Sequence, residues 1–315
     1  MPPSPPIVGA IEAGGTKMVC AVGSGPGPAT LARAQFPTGD DPAACLRAVT
    51  EWLSAQERSH GRLEAIGIAS FGPVDLHPGS PTYGHVTTTP KRGWRNTDVV
   101  GPLRRAFPGR AVGFDTDVNG AALGEGRWGA ARGLTDFVYV TVGTGIGGGA
   151  VAGGRLVHGL VHPEMGHMPM GAADGDPFPG ACAIHGRCWE GLCSGPAIAA
   201  RAGVPAEDLP ADHPAWDLTM RAMGQALATV TCVLSPQRII LGGSVRKAGG
   251  LGEAALLAGV RNHLRQALAG YIHAPTLAEG AIDGYLVPPE LGDAAGVCGA
   301  MALAQEAIGH MQPAR

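Results

Sequence analysis

Two short apolar runs broken by glycine open the chain: Ile7-Val-Gly-Ala-Ile11 before Ala13-Gly-Gly-Thr16, and Met18-Val-Cys-Ala-Val22 after it. Apolar runs joined by a glycine turn predict a β-hairpin over residues 7–23. The pattern returns later as Phe137-Val-Tyr-Val-Thr-Val142, then Gly143-Thr-Gly-Ile-Gly-Gly-Gly149, then a second apolar run over 150–156. Strand, Gly/Thr turn, strand, met twice, predicts two similar lobes. Between the repeats, Ala44, Leu46, Ala48, Val49, Trp52 and Leu53 form a stripe at helical spacing and predict a helix over 42–59. Residues 65–69 and 111–114 read as buried strands, 102–107 as a short helix and 121–131 as a longer one. Residues 81–98 are polar, marked by Gly and Pro and without helical period, and read as a long loop. Downstream, Ser194-Gly-Pro196 starts a helix. Residues 218–234, 252–268 and 293–308 are helical, 238–241 is a buried strand and 281–287 a final edge strand. The order of elements is that of an α/β protein.

Composition narrows the partners. With 315 residues, 45% hydrophobic and 16% charged, the chain can bury a large core, and a net charge of −3 without a basic cluster argues against nucleic acid. Met1-Pro-Pro-Ser-Pro-Pro6 lacks the charged and apolar regions of a leader peptide, and no apolar run spans a bilayer. Seven unevenly spread cysteines then favour a reducing cytoplasm, and metal ligation before disulfides. Only three lysines, Lys17, Lys91 and Lys247, stand among the 23 basic residues. Where arginine is so favoured, a retained lysine reflects either chance or a site that needs a slim cation.

The candidate chemistry gathers around the two glycine turns. Free amides of Gly14 and Gly15, the Thr16 hydroxyl and Lys17 can wrap a phosphate, and so can Gly143, Thr144 and Gly145. Ser70-Phe-Gly-Pro-Val-Asp75 follows a strand, where open α/β sheets bind ligands. Lys91 and Trp94, in the 81–98 loop, are placed to bracket a polar ligand. Asp115, Asp117 and Asn119 alternate at a strand end and so share one face. One of Asp117 and Asn119 is expected to cap the following helix and another member of the group to act as a base, with Asp117 preferred over Asp115. Cys182, His185 and Cys188 in a C-x-x-H-x-x-C grouping, with His167 as fourth donor, offer a tetrahedral N/S site suited to zinc. Such a metal would pin a loop that carries Glu164 and Glu190. Gly242-Gly243 after a strand offers a flat shelf for an adenosine.

Taken together these stretches resemble the ROK family of sugar kinases, most closely its fructokinase branch, over essentially the whole chain. The marks are Glu12-Ala-Gly-Gly-Thr-Lys17, Ser70 to Asp75, Thr88-Thr-Pro-Lys91 with Gly93-Trp94, Asp115-Thr-Asp-Val-Asn-Gly120, Thr141 to Gly149, His162-Pro-Glu-Met-Gly-His167, the Cys182 to Glu190 cluster and Leu241-Gly-Gly243. The resemblance implies a two-lobed actin-like (ribonuclease H-like) ATPase fold with a central cleft. Residues 1–118 with 294–315 would form the smaller lobe and 119–293 the larger. It implies transfer of the γ-phosphate of ATP, with Mg²⁺, to a hexose, D-fructose before glucose, mannose or an N-acetylated hexosamine. In that likeness Asp117 is the base, and Asn119, Glu164, His167 and Glu190 contact sugar. His167, Cys182, His185 and Cys188 hold a structural Zn²⁺, and the protein is a homodimer. Two departures stand out. Many members of that family carry Asp where this chain has Glu12, which leaves open whether Mg²⁺ is met directly or through water. The zinc motif of many of them is richer in cysteine, whereas one of its positions here is His185. The family includes sugar-sensing repressors, but the first hairpin starts too early here for an N-terminal DNA-binding domain.

Overall fold

The computed structural model describes residues 5–171 and 176–311, so most of the Met1–Pro6 stretch and the last residues of the 294–315 segment lie outside the described residues. The chain divides into two compact units. The first holds Met1–Gly133, His158–His162 and Glu290–Arg315, the second Leu134–Val157 and Pro163–Pro289.

In the first unit β1 (Val8–Ala13) and β2 (Lys17–Gly23) form the expected hairpin, with Ala13 paired to Met18 across the turn. β3 (Thr30–Pro37) adds a third antiparallel strand. Its residues alternate between half-buried and exposed, so no apolar stripe announces it in the sequence. Helix α1 (Pro42–His60) is capped by the Asp41 carboxylate, which accepts from the Ala44 amide at 3.0 Å. β4 (Ala65–Ser70) follows and is buried along its whole length. The 81–98 stretch is more ordered than a loop. β5 (His85–Val86) and β6 (Thr97–Asp98) pair as a small ribbon leading to α2 (Val100–Ala106). β7 (Ala111–Thr116) then passes directly into α3 (Asp117–Trp128). The sheet order is β3-β2-β1-β4-β7, antiparallel through the hairpin strands and parallel from β1 onward.

The second unit repeats this plan, as its hairpin predicts. β8 (Phe137–Val142), β9 (Ile146–Ala152) and β10 (Arg155–Leu156) form an antiparallel meander. The chain continues through α4 (Trp189–Cys193), α5 (Gly195–Ala202) and α6 (Ala215–Leu234) to β11 (Arg238–Gly242). It then runs through α7 (Glu253–Leu268) to β12 (Leu286–Val287). The order β10-β9-β8-β11-β12 is that of the first sheet. Val138, Val140 and Val142 on one face of β8 join Trp189, Trp216, Leu227, Val260 and Leu286 in a single core. Only the last two residues of the expected 281–287 strand are extended, because Ala281–Gly284 winds into a 3₁₀ turn.

The closing helix α8 (Ala295–Met311) belongs to the first unit. There, Val8 and Ala10 of β1 pack with Val297 and Met301 of α8, while Ile11 and Ala13 pack with Leu53 of α1. The sheet is thus covered on both faces, which is why its central strands are apolar throughout. The contacts place the boundary at residue 133, whereas the sequence reading put it after 118. The reason is that α3 packs on α8, with no room between them: a Cβ on Gly299 would stand 1.9 Å from the Gly120 carbonyl oxygen. No described helix is long and apolar enough to cross a membrane.

Candidate active site

Each unit presents a closed glycine turn with outward amides. In the first, the Gly14 amide donates to the Lys17 carbonyl at 3.0 Å. Thr38, buried at the end of β3, ties the turn down: its hydroxyl donates to the Gly14 carbonyl at 2.6 Å and its amide to the Thr16 carbonyl at 3.0 Å. The amides of Gly15 and Thr16 make no hydrogen bond among the described residues, and Gly15, Thr16 and Lys17 are exposed. In the second, the Gly143 amide donates to the Gly145 carbonyl at 2.9 Å, and the amides of Thr144 and Gly145 are left free in the same way. Paired, outward amides held by a rigid hairpin are what an anion needs. Gly242 closes β11 and Gly243 leads to Ser244, whose hydroxyl lies beside Gly143.

Glu12 sits at the end of β1 on the face that meets α8. Its carboxyl lies against Gly296 and accepts from the Val297 amide. Burial pushes it above the usual carboxylate range, against the pull of Arg33 and Lys17.

The Asp115–Asn119 group differs from the sequence reading in two respects. The strand ends at Thr116, so Asp117 and Asn119 lie in the first turn of α3 and do not alternate on one strand face. The cap is neither Asp117 nor Asn119 but the Thr116 hydroxyl, which accepts from the Asn119 amide at 3.1 Å. Asp115 is buried, and each of its oxygens has a partner. Its Oδ1 accepts from the Thr116 amide and from Asn119 Nδ2, both at 2.7 Å, and its Oδ2 lies 2.8 Å from His158 Nε2. Asp117, at the first position of α3, is half-buried and accepts from the Val118 amide at 2.9 Å. Asn119 Oδ1 is buried with no partner among the described residues. His158 carries a raised pKa, chiefly through its hydrogen bond to Asp115, with burial opposing. Sequence alone assigns no role to His158. No spacing signal links it to Asp115, 43 residues earlier.

Lys91 lies 3.8 Å from Asp40. Trp94 does not bracket a ligand. It is fully buried in the first core, edge-on to Phe71, with its indole N–H donating to the Gly39 carbonyl at 3.0 Å.

In the second unit the four predicted metal donors come together, with the ligand atoms of His167, Cys182, His185 and Cys188 within 4.8 Å of one another. His167 Nδ1 is 3.7 Å from Cys188 Sγ and 4.0 Å from Cys182 Sγ, and His185 Nδ1 is 3.8 Å from Cys182 Sγ. Zinc bonds of about 2.3 Å to sulfur and about 2.0 Å to nitrogen put a tetrahedral sulfur and nitrogen roughly 3.5 Å apart. Burial raises the Cys188 thiol, and a cation at the centre would favour its thiolate instead. Asp176 anchors this loop: its carboxylate accepts from Arg201 of α5 at 2.7 Å, and the Arg201 guanidinium stacks 4.5 Å from the Phe178 ring. Glu164 is exposed at the start of the 3₁₀ turn Met165–His167. Glu190, in the first turn of α4, reaches the glycine turn. Its Oε2 accepts from the Ile146 amide at 2.9 Å, and Gly145 leaves it room, since a Cβ there would stand 2.8 Å away.

Residues 8–307 match the profile of the ROK family. The chain belongs to the ROK family. It is 41% identical to the fructokinase of Zymomonas mobilis over 95% of this chain and 96% of that protein. To the fructokinase of Pediococcus pentosaceus it is 37% identical, over 96% of this chain and 99% of that protein. Among solved structures it is similar to a ROK family glucokinase from Streptomyces griseus in complex with glucose and AMPPNP, with a TM-score of 0.70 and 25% identity over 95% of this chain and 99% of that one. This ROK chain has the α/β actin-like ATPase fold, built from the two sheets of like order.

Proposed function

We propose that this ROK protein is an ATP-dependent hexose kinase that converts D-fructose to fructose 6-phosphate. The observation that carries the reading is its likeness, over nearly the full length of both chains, to fructokinases. The two glycine turns support it, because free amide pairs on rigid hairpins suit the phosphates of a nucleotide.

Asp117 serves as the general base for the attacking hydroxyl. Asp115 is unsuited, since both its oxygens are already held by donors. Asn119 is a sugar contact, its unpaired Oδ1 being an acceptor that a hydroxyl can satisfy. Glu164, His167 and Glu190 are proposed as further sugar contacts and Lys91 as a flanking cation, while the Gly242-Gly243 turn takes the adenosine. Phosphoryl transfer needs little covalent help, so positioning and charge stabilisation supply most of the rate.

Mg²⁺ bound with ATP would neutralise phosphate charge. The carboxylates here fit a metal held mainly by the nucleotide and water: Asp115 has no free oxygen, and Glu12 is engaged with the start of α8. His167, Cys182, His185 and Cys188 fit a structural Zn²⁺ by donor type and spacing, and such an ion braces the loop that bears Glu190. A cytoplasmic homodimer is the setting we propose.

A coupled ATP assay over fructose, glucose, mannose and N-acetylated hexosamines tests the reading. Fructose should give the highest kcat/KM. A preference for another hexose would keep the kinase and change its substrate, and no turnover of any hexose would overturn both.

A further inference from the structure

Residues His158–His162 pack with the first unit, although the chain on either side of them belongs to the second. Apolar burial does not hold them there: Leu160 is 101% exposed and Val161 58%. Two imidazoles do. His162 Nε2 accepts from the Val74 amide at 3.2 Å, and His158 Nε2 meets Asp115 Oδ2 at 2.8 Å.

The second contact reaches toward the catalytic turn. A carboxylate only accepts, so His158 Nε2 and Asn119 Nδ2 must both be donors to Asp115. Their 3.4 Å approach is then two donors converging on one acceptor group. The Asp115–Asn119 hydrogen bond spans Asp117, tying the end of β7 to the first turn of α3 on both sides of that residue. His158 in turn caps the Asp115 oxygen that nothing else in this group reaches.

We propose that His158 is a positioning residue for Asp117: it holds Asp115, and through Asp115 and Asn119 it fixes the turn on which the general base rides. This rests on the hexose-kinase reading. It also has an electrostatic side. Asp115 is buried two residues before Asp117, and without its histidine it is a like charge that disfavours the Asp117 carboxylate. Among the described residues, the titratable or charged groups near the pair include Asp117, Tyr83, which senses Asp115, Arg104 over the Tyr83 ring, and His162 on the same segment.

The test compares His158→Ala and His158→Gln with the wild type. His158→Ala should lower kcat at least tenfold, leave the KM for ATP unchanged, and move the acid limb of kcat/KM to higher pH. His158→Gln keeps a donor for Asp115 and should recover most of kcat while the acid limb stays shifted. Wild-type kcat and an unmoved acid limb in His158→Ala would overturn the role. So would a loss accompanied by a matching rise in the KM for ATP, which marks general disruption. Imidazole NMR separates this from the parent reading, because His158 should titrate above its ordinary pKa in the wild type and near it in Asp115→Asn. A wild type that shows this pairing but phosphorylates no hexose would overturn the kinase reading itself and the catalytic role of His158 with it.

Discussion

The Glu190 carboxylate accepts a hydrogen bond from the Ile146 amide at 2.9 Å, linking the first turn of α4 to the residue that ends the second glycine turn. Because Cys188 lies two residues before Glu190 and also caps α4, the Cys/His group and the glycine turn share one short helix.

Glu190→Ala should therefore weaken nucleotide binding as well as sugar binding. A hydrogen bond to a charged group contributes about 1.5–3 kcal/mol, so the KM for ATP should rise about tenfold to a hundredfold. Gly145→Ala, which crowds the same oxygen, should act in the same direction and more weakly. An unchanged KM for ATP in Glu190→Ala would reject the brace.

Asp117→Asn preserves the size of the side chain and removes its basicity. General-base catalysis typically contributes about 10²–10⁴-fold, and kcat should fall by that order while the KM for ATP changes little. Steady-state assays of the folded variant decide this, and near-normal turnover would move the base elsewhere.

Protein purified without chelator should carry about one zinc per chain by elemental analysis. Removing it should lower Tm and leave the loop around residues 176–190 more open to proteolysis. Cys188→Ser loses a metal ligand, while serine, itself a favoured N-cap, still offers an acceptor to the Gly191 amide that the Cys188 sulfur holds at 3.3 Å. The loss of Tm in this variant should therefore report the metal and not the cap. Metal-free protein of unchanged Tm would reject the structural role.

The His158–Asp115 pair gives a pH dependence with a defined sign. The folded pKa of His158 is raised above its unfolded value. Its stabilisation is therefore complete below the ordinary histidine pKa, about 6.5, and is lost as pH rises through the folded value. Thermal melts of wild type and His158→Gln should differ most at mildly acid pH and converge as pH rises. A difference that grows with pH would contradict the pairing.

Much of this was legible along the chain because it is local. The two hairpins follow from apolar runs flanking glycine, α1 from its helical stripe, and α5 from Ser194-Gly-Pro196, where the Ser194 hydroxyl accepts from the Ala197 amide. The Cys182, His185 and Cys188 donors sit within one short loop, so their spacing already implies a common centre. The likeness of the two sheets was visible as a repeated strand–turn–strand pattern.

What the tertiary structure decided is the partnership of each side chain. Asp115, Asp117 and Asn119 alternate in sequence, but α3 starts at Asp117, and the strand-face relation gives way to a helical turn capped by Thr116. Trp94 looks like a ligand platform in a polar stretch, yet the first core takes it in whole. The Asp115–His158 and Ile146–Glu190 contacts join residues 43 and 44 positions apart. Periodicity and capping act over a few residues, whereas a hydrogen bond between distant segments exists only once packed elements bring donor and acceptor within about 3 Å.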